Sequence, residues 1–440
     1  MTDAELVREI AQPLDGNADD YNALLELIGD ARVVLIGEAT HGTHDFYFER
    51  AAITKRLIAE NGFSVLAIEA DWPDSARVHR YVRGAMADSN ANQALSGFRR
   101  FPTWMWRNTV MVEFVEWLRD FNKNITAKQA LAGFYGMDLY SLHASIDAVL
   151  QYLDKIDPDA ARRARLRYSC FDHFSHNPQE YGYAATVGAM ESCEHAVVEQ
   201  LVELQQKAAE FLSRDGEMAA EELFFAEQNA RLVKDAEQYY RAMFRGRASS
   251  WNLRDSHMVE TIENLVAHLN ANRQPKAIVW AHNSHLGDAR ATEMSHYGEV
   301  NVGQIIRERF GKDAVLIGFS TYQGTVTAAS DWGAPAERKN VRPALRGSYE
   351  ELFHETGLGR FWINLRGSGQ IGVLQPRRIE RAIGVIYRPE NERLSHYFHA
   401  RLPEQFDAII HIDETRAVEP LERTSVWEEG ELPETYPFKV

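Results

Sequence analysis

The sequence predicts an α/β protein with a largely parallel, helix-flanked sheet. Short β-branched apolar runs recur along the chain, and helical stretches separate most of them. The first strand, the helix after it and the second strand together take roughly 35 residues, which is typical of a βαβ unit. Because such units join parallel strands by a right-handed crossover, we expect most strands to run in the same direction.

The first βαβ unit starts with Arg32–Gly37 (RVVLIG), a short apolar run that is typical of a buried strand. Helical periodicity follows over His44–Asn61 and stops at Gly62, a residue type that commonly ends helices. Ser64–Ile68 (SVLAI) is the second buried strand. A helical, connective segment precedes the unit, with helical spacing over Tyr21–Ile28.

Further apolar runs of the same kind predict the rest of the sheet. These strands are expected at Leu131–Gly136, Lys276–Ala281, Ala314–Phe319, Ala382–Tyr387 and Asp407–Ile412. The intervening stretch near residues 150–265 is rich in Ala, Glu, Gln, Arg and Leu. It contains two long amphipathic helices, Glu221–Met243 and Ser250–Leu269.

We therefore expect three parts in the chain. Residues 1–30 form the N-terminal helical segment, and residues 31–149 and 266–440 form the α/β catalytic core. Residues 150–265 form a helical subdomain, which is inserted in the core over the C-terminal edge of the strands.

Composition and charge exclude several classes of protein. The 440 residues include 48 Lys and Arg against 64 Asp and Glu, a net charge of −16, which argues against nonspecific binding to nucleic acid or anionic membranes. The two cysteines, Cys170 and Cys193, are too few for a disulfide framework and suit a reducing compartment. The start lacks the apolar region of a signal peptide, and no apolar run approaches the ~20 residues of a membrane helix. These features predict a cytoplasmic protein and leave its oligomeric state open.

Ionisable side chains follow the predicted strands. Because ligands bind outside the carboxyl ends of the strands in an open α/β sheet, these residues form one candidate site if the strands are neighbours. The side chains expected to converge there are Glu38, His41, Glu69, His282 and His285, while Asp71, Trp72 and Asp138 also follow predicted strands.

Each of these residues also has a purely structural interpretation. Glu38 and Glu69 could stabilise helix N-termini, and a lone His such as His41 more often completes a hydrogen bond. Arg50 could be a surface residue, and Arg254 could brace a buried Asp. Core packing competes with substrate contact for Trp72.

Several catalytic motifs are absent from the sequence. We find no G-x-S-x-G nucleophile motif, no H-E-x-x-H zinc helix, no P-loop, and no G-x-G-x-x-G after the first strand. What remains is a set of Glu, His and Arg residues, which suits hydrolysis by an activated water molecule.

The motifs LIGEATHGTHDFYFER, AIEADW, SWNLRD and AHNSH together resemble the erythromycin esterase family over about residues 30–415. The resemblance implies an α/β core with a helical wall. It also implies hydrolysis of a carboxylic ester or macrolactone without a covalent intermediate, with His41 as general base. The family's other site residues match Glu38, Arg50, Glu69, Arg254, His282 and His285. Two later segments, GTVTAASDWGAPAERKNVRPAL and SHYFHARLPEQFDAIIHIDETRAVEPLE, resemble a widespread bacterial branch of this family. Members of that branch are not necessarily antibiotic-resistance enzymes.

From this resemblance we expect specific roles. Glu38 and Glu69 would orient His41 or the water, and Arg50 and Arg254 would support the carbonyl or oxyanion. His282 and His285 would contact the carbonyl oxygen or protonate the leaving alkoxide. We also expect Asp71 and Trp72 to help bind a small-molecule ester or lactone.

No cofactor is expected, but three alternatives stay open. The same Glu and His residues could hold a divalent cation in a metal-dependent hydrolase, although the charges of Arg50 and Arg254 oppose a cation. His41 or His285 could instead ligate haem in a non-enzymatic protein of related fold. The third alternative is hydrolysis of a different bond, such as an amide.

Overall fold

The structure is a computed structural model and describes residues 1–17, 19–125, 130–174, 177–215, 219–269, 274–366 and 369–430. The strands are β1 (Gln12–Pro13), β2 (Val33–Ile36), β3 (Val65–Asp71), β4 (Gly133–Asp138), β5 (Ala277–Trp280), β6 (Ala314–Ser320), β7 (Gln323–Ala328), β8 (Glu337–Val341), β9 (Arg360–Asn364), β10 (Arg378–Arg381), β11 (Tyr397–Ala400), β12 (Ala408–Ile412) and β13 (Glu414–Thr415).

The α-helices lie between these strands and at their ends. They are α1 (Asp3–Ile10), α2 (Asn22–Ile28), α3 (His44–Asn61), α4 (Trp72–Val82), α5 (Ala91–Ala94), α6 (Thr109–Asn124), α7 (Leu142–Ile156), α8 (Pro158–Tyr168), α9 (Pro178–Thr186), α10 (Glu194–Gln206), α11 (Ala208–Asp215), α12 (Ala219–Ala242), α13 (Arg247–Leu269), α14 (Asn283–Leu286), α15 (Val302–Phe310), α16 (Tyr349–His354), α17 (Glu392–Ser395), α18 (Leu402–Gln405) and α19 (Ser425–Glu429).

The main sheet has the strand order β1-β9-β12-β6-β2-β5-β3-β4. The pairs from β12 to β4 are parallel, whereas β9 pairs antiparallel with both β12 and β1. The predicted α/β class with a largely parallel sheet is therefore confirmed. Glu38 and His282 follow β2 and β5, and Glu69 and Asp138 lie near the ends of β3 and β4. These four strands are consecutive in the sheet, so their carboxyl ends lie side by side.

Burial on both faces explains why the central strands are continuous apolar runs. In β2, Val33 and Leu35 belong to one large hydrophobic cluster, while Val34 and Ile36 belong to a second. Successive side chains of a strand point to opposite faces, so these two clusters are the cores above and below the sheet.

Helix α3 begins and ends where the sequence predicts, at His44 and Asn61. It ends because Gly62 takes a left-handed conformation (φ 73°, ψ 23°) and donates its N–H to the carbonyl of Leu57. The predicted strands at the β2 to β6 positions and at β12 are also present, with bounds that differ by a few residues.

The chain between β4 and β5 is helical throughout its described part. Helix α12 packs against α7, α9, α10 and α13, and α13 also contacts β3 and β4, which brings it to the carboxyl edge of the sheet. Cys170 and Cys193 are joined by a disulfide bond within this region. The small number of cysteines had suggested a reducing compartment, but this disulfide does not support that prediction.

One predicted strand, Ala382–Tyr387, is wrong. This segment follows β10 as a loop with single bridges from Ile383 to Thr40 and from Ile386 to Ala329. Its apolar side chains Ile383 and Tyr387 are buried in a separate small cluster with residues of β7 and β8. The hydrophobic pattern therefore arises from a loop that packs against these strands. The two-residue edge strand β1, which ends in Pro13, was not predicted because so short a strand has no recognisable pattern.

No helix in the described parts of the chain is long and apolar enough to cross a membrane.

We predict that Gly303→Ala destabilises the protein, because a Cβ at this position would overlap the carbonyl oxygen of Leu286 where α15 packs on α14. Urea unfolding should show a loss of about 1–3 kcal/mol in the free energy of unfolding. The matched control is Gly359→Ala, whose Cβ would meet no described atom within 4 Å. Equal stability of the two variants would contradict this packing.

Candidate active site

A cavity of about 730 Å³ opens at the carboxyl ends of β2, β3, β4 and β5. Its volume is in the range of small-molecule binding sites. Six residues predicted from the sequence line it: His41, Glu69, Asp71, Arg254, His282 and His285. The strand ends therefore bring most of the predicted residues together in one place, as expected.

His41 is held by a chain of buried charges. Its Nδ1 lies 2.9 Å from Oε1 of Glu38, and Oε2 of Glu38 lies 2.6 Å from Nη2 of Arg50. A carboxylate can only accept a hydrogen bond, so Nδ1 of His41 carries the proton and donates it to Glu38. The lone pair of His41 is then at Nε2, on the side of the ring away from Glu38.

Arg50 lies beneath Glu38 and is fully buried in α3. Its guanidinium stacks over the rings of Tyr47, at 4.5 Å, and Trp280, at 5.0 Å. The expected contact of Arg50 with a substrate oxygen does not fit this position. Arg50 instead neutralises Glu38 from behind.

Arg254, on α13, connects two strand-end carboxylates. Its Nε and Nη2 donate to Asp138 at 2.9 and 2.7 Å, and Nη2 also donates to Oε1 of Glu69 at 2.7 Å. Its Nη1 donates to Nε2 of His285 at 3.1 Å. A guanidinium has five N–H groups, so one Nη1–H lacks a partner among the described residues.

Glu69 stays ionised in this environment. Burial alone would raise its pKa, but the charges of His285, His41 and Arg254 together hold the pKa well below its usual range. The second oxygen, Oε2, accepts the backbone N–H of His282 at 2.9 Å. Glu69 thus ties the end of β3 to the end of β5 and faces His41 and His285.

His285 lies between Asp255 and Arg254, which are adjacent residues of α13. Both carboxylate oxygens of Asp255 are 2.9 Å from Nδ1 of His285, and Trp251 stacks on the ring at 4.5 Å. Burial and Arg254 would lower the pKa of His285, but Asp255 and Glu69 outweigh them and raise it.

His282 has a different environment. Its Nε2 lies 3.2 Å from the carbonyl oxygen of Ala39, and Nδ1 accepts the backbone N–H of Ser284 at 3.2 Å. Burial lowers the pKa of His282 to about 3, and nearby His41 adds to this effect. Both ring nitrogens are therefore engaged by described groups, and the expected proton transfer to an alkoxide does not fit a neutral ring whose only N–H faces Ala39.

Asp71 and Trp72 occupy unlike positions. Asp71 lines the cavity and accepts two hydrogen bonds from Arg100, at 2.8 and 3.1 Å. Trp72 is buried in the core against Tyr135 and Phe225, so the prediction that it contacts substrate is wrong. Asp71 is the last residue of β3 and faces the cavity, whereas Trp72 is the first residue of α4 and faces the core.

Three charged residues of the site were not among the predicted site residues: Asp138, Asp255 and Arg100. Asp138 follows the predicted strand Leu131–Gly136 and ends the observed strand β4, but no role was assigned to it from the sequence. Asp255 follows Arg254 directly in the sequence, but nothing in the pattern shows that it faces His285. Arg100 lies in a loop whose path the sequence does not reveal.

The side chains of the site do not fit a metal ion. Within the described ranges, no group of three or more His, Cys, Asp or Glu side chains is arranged to hold one. Glu38, Glu69 and Asp138 are paired with arginines, whose positive charge opposes a cation. The metal-dependent alternative therefore has no set of ligands in this part of the chain.

The sheet and this site define an α/β protein with an acid–base centre at the carboxyl edge of its strands. The sequence profile of the family described as erythromycin esterase matches residues 58–415, and the chain belongs to this family of hydrolases. Membership implies a small-molecule ester as substrate.

Distant relatives agree with this membership. Erythromycin esterase type II of Escherichia coli is 22% identical over 92% of this chain and 94% of its own length. The Bacillus subtilis protein YbfO, named as a hydrolase, is 24% identical over 78% of this chain and 76% of its own length.

Solved structures share the fold. A succinoglycan biosynthesis protein covers 95% of this chain and 97% of its own, with a TM-score of 0.74 and 22% identity. A histidine-to-asparagine mutant of the erythromycin esterase EreC, in its open conformation, covers 94% of this chain and 98% of its own, with a TM-score of 0.68 and 17% identity. At these identities the likeness shows the fold alone.

We predict that Arg50→Met lowers the free energy of unfolding by about 3–5 kcal/mol, because Glu38 is left as a buried, unpaired charge. The double variant Arg50→Met/Glu38→Gln should recover part of this loss. The control is Arg56→Met, which breaks an exposed pair with Glu60 on the same helix and should cost at most about 1 kcal/mol. Similar losses for Arg50 and Arg56 in urea unfolding would contradict the structural role of Arg50.

Proposed function

We propose that the protein hydrolyses a carboxylic ester or lactone with a water molecule that His41 activates, without a covalent intermediate. The chain of Arg50, Glu38 and His41 at the cavity wall is the observation that supports this most strongly. It makes His41 a base directed at the cavity, and it needs no nucleophilic side chain.

In this mechanism Nε2 of His41 accepts a proton from water as the water oxygen attacks the ester carbon. The imidazolium that forms is stabilised by the Glu38 carboxylate at Nδ1. Arg50 is paired with the other oxygen of Glu38, so it contacts the carboxylate and not the substrate. The role of Arg50 in catalysis is therefore indirect.

The attack places negative charge on the carbonyl oxygen. Arg254 is the side chain best suited to stabilise it, because the guanidinium lines the cavity and has one Nη1–H without a described partner. Its Nε–H and Nη2–H groups are anchored by Asp138 and Glu69, so the guanidinium is held in place before the reaction starts. His285 supplies a proton to the leaving alkoxide.

We further propose that the preferred ester has a bulky, apolar body. Three large apolar side chains from separate segments line the cavity yet remain exposed: Trp332 at 62%, Tyr297 at 69% and Leu394 at 89%. Trp332 also contacts Phe101 of the cavity wall at 4.9 Å. Exposed apolar groups that surround a polar centre are typical of a ligand-binding rim. Macrolactones are the first compounds to test, because the relatives are named erythromycin esterases.

We predict that His41→Ala lowers turnover by at least about 10²-fold, because the general base is removed. The assay is mass spectrometry of erythromycin and of a panel of lactones and acyl esters, in which hydrolysis adds the mass of one water. His44→Ala is the control, since His44 begins α3 and contacts Arg416 and Phe48. Full turnover by His41→Ala would exclude this mechanism.

A second prediction concerns Trp332→Ala. The variant should lose roughly tenfold in kcat/KM for a bulky apolar ester and keep its kcat/KM for the acetate ester of a small alcohol, because only the bulky substrate reaches the rim. Leu166→Ala, at an exposed apolar residue of α8, is the matched control and should change neither value. Equal losses for both esters would contradict a rim that selects by size.

A further inference from the structure

The ring of His285 is fixed from both edges by one turn of α13. Asp255 is fully buried and holds Nδ1 with both oxygens at 2.9 Å, while Nη1 of Arg254 lies 3.1 Å from Nε2. Trp251, one turn earlier on α13, stacks on the ring with an angle of 5° between the planes. Neither the sequence motifs nor the family comparison assigns a role to Asp255.

Three charged side chains face His285: Asp255 and Arg254 from α13, and Glu69 from β3. The ring of His282, just before α14, is also nearby and is neutral. Two carboxylates thus oppose one guanidinium. The pair of His285 and Asp255 therefore retains a proton above the pH at which an ordinary imidazole loses it, and this proton belongs to the pair.

We propose that Asp255 is a positioning residue that keeps a proton on His285, so that His285 acts as the general acid of the reaction. This inference rests on the proposed function. Asp255 acts through His285, because its carboxylate contacts Nδ1 and the backbone N–H of Val302 rather than the cavity.

The step balances without any further reactant. When the tetrahedral intermediate collapses, the bond between the carbonyl carbon and the leaving oxygen breaks, and its electron pair stays on that oxygen. The oxygen then takes the proton from Nε2 of His285. His41 holds the proton that it took from water, and transfer of one proton from His41 to His285 through solvent restores the enzyme. In the net reaction, the OH of one water joins the acyl carbon and its remaining hydrogen joins the leaving oxygen of the alcohol.

This arrangement also links the acid to the oxyanion site. In the neutral form, Nε2 of His285 accepts an N–H from Arg254. Protonation of Nε2 removes this acceptor and directs the new N–H toward Oε1 of Glu69, which is 3.5 Å away. The N–H of Arg254 is then available to a substrate oxygen.

The test is Asp255→Asn. The amide oxygen can still accept from Nδ1 of His285 and from the N–H of Val302, so the variant removes the charge with little change of shape. Loss of the negative charge destabilises the imidazolium, so the pKa of His285 falls. The alkaline limb of the kcat profile should therefore move to lower pH by about 1–3 units.

Asp235→Asn is the matched control. Asp235, on α12, pairs with Nδ1 of His257 at 2.8 Å and is also buried, but the pair lies outside the cavity lining. It should lower stability to a similar degree and leave the alkaline limb in place. A kcat profile of Asp255→Asn that is reduced evenly at every pH, as in a merely structural role, would overturn the inference.

An NMR titration of the His285 imidazole, with labelled histidine, tests the effect of Asp255 on His285 without any substrate. The midpoint should be lower in Asp255→Asn than in the wild type and unchanged in Asp235→Asn. Equal midpoints in the wild type and Asp255→Asn would overturn the role of Asp255 even if His41 is confirmed as the base. If the wild type hydrolyses no ester of the panel, the proposed function fails, and a shifted midpoint still supports Asp255 as the residue that holds the proton on His285.

Discussion

The pairing of buried strand-end carboxylates with arginines is the interaction on which the site depends. Glu38 is paired with Arg50, and Glu69 and Asp138 share Arg254. An isolated carboxylate at the end of a buried strand would take up a proton rather than stay charged. Because the arginines place an opposite charge beside each carboxylate, the carboxyl edge of the sheet can hold several charges in a small volume.

The same pairing gives His41 and His285 opposite tasks. His41 is hydrogen-bonded to one carboxylate, Glu38, which is paired with Arg50, and we propose that it accepts a proton. His285 faces two carboxylates against one guanidinium, and we propose that it donates one. The ring of His282 lies 4.8 Å from that of His41, measured between ring centroids, and in its neutral form it adds no positive charge to the site.

Much of this arrangement follows from the sequence because strand ends in a parallel sheet are neighbours in space. That rule predicted the positions of Glu38, His41, Glu69, His282 and His285. It could not predict that Arg50 lies beneath Glu38, or that Trp72 faces the core, because the direction of a side chain depends on helices packed from other parts of the chain. The segment at 382–387 was wrongly predicted as a strand for a related reason, since an apolar pattern does not distinguish a sheet from a buried loop.

The central claim is that Glu38 fixes His41 as a base with its lone pair at Nε2, directed at the cavity. ¹⁵N NMR of the His41 ring in the resting enzyme at neutral pH tests this most directly, because the two nitrogens have different shifts when protonated. The account predicts a protonated Nδ1 and an unprotonated Nε2. A ring with the proton at Nε2 would contradict it, since His41 could then not accept a proton from water on the cavity side.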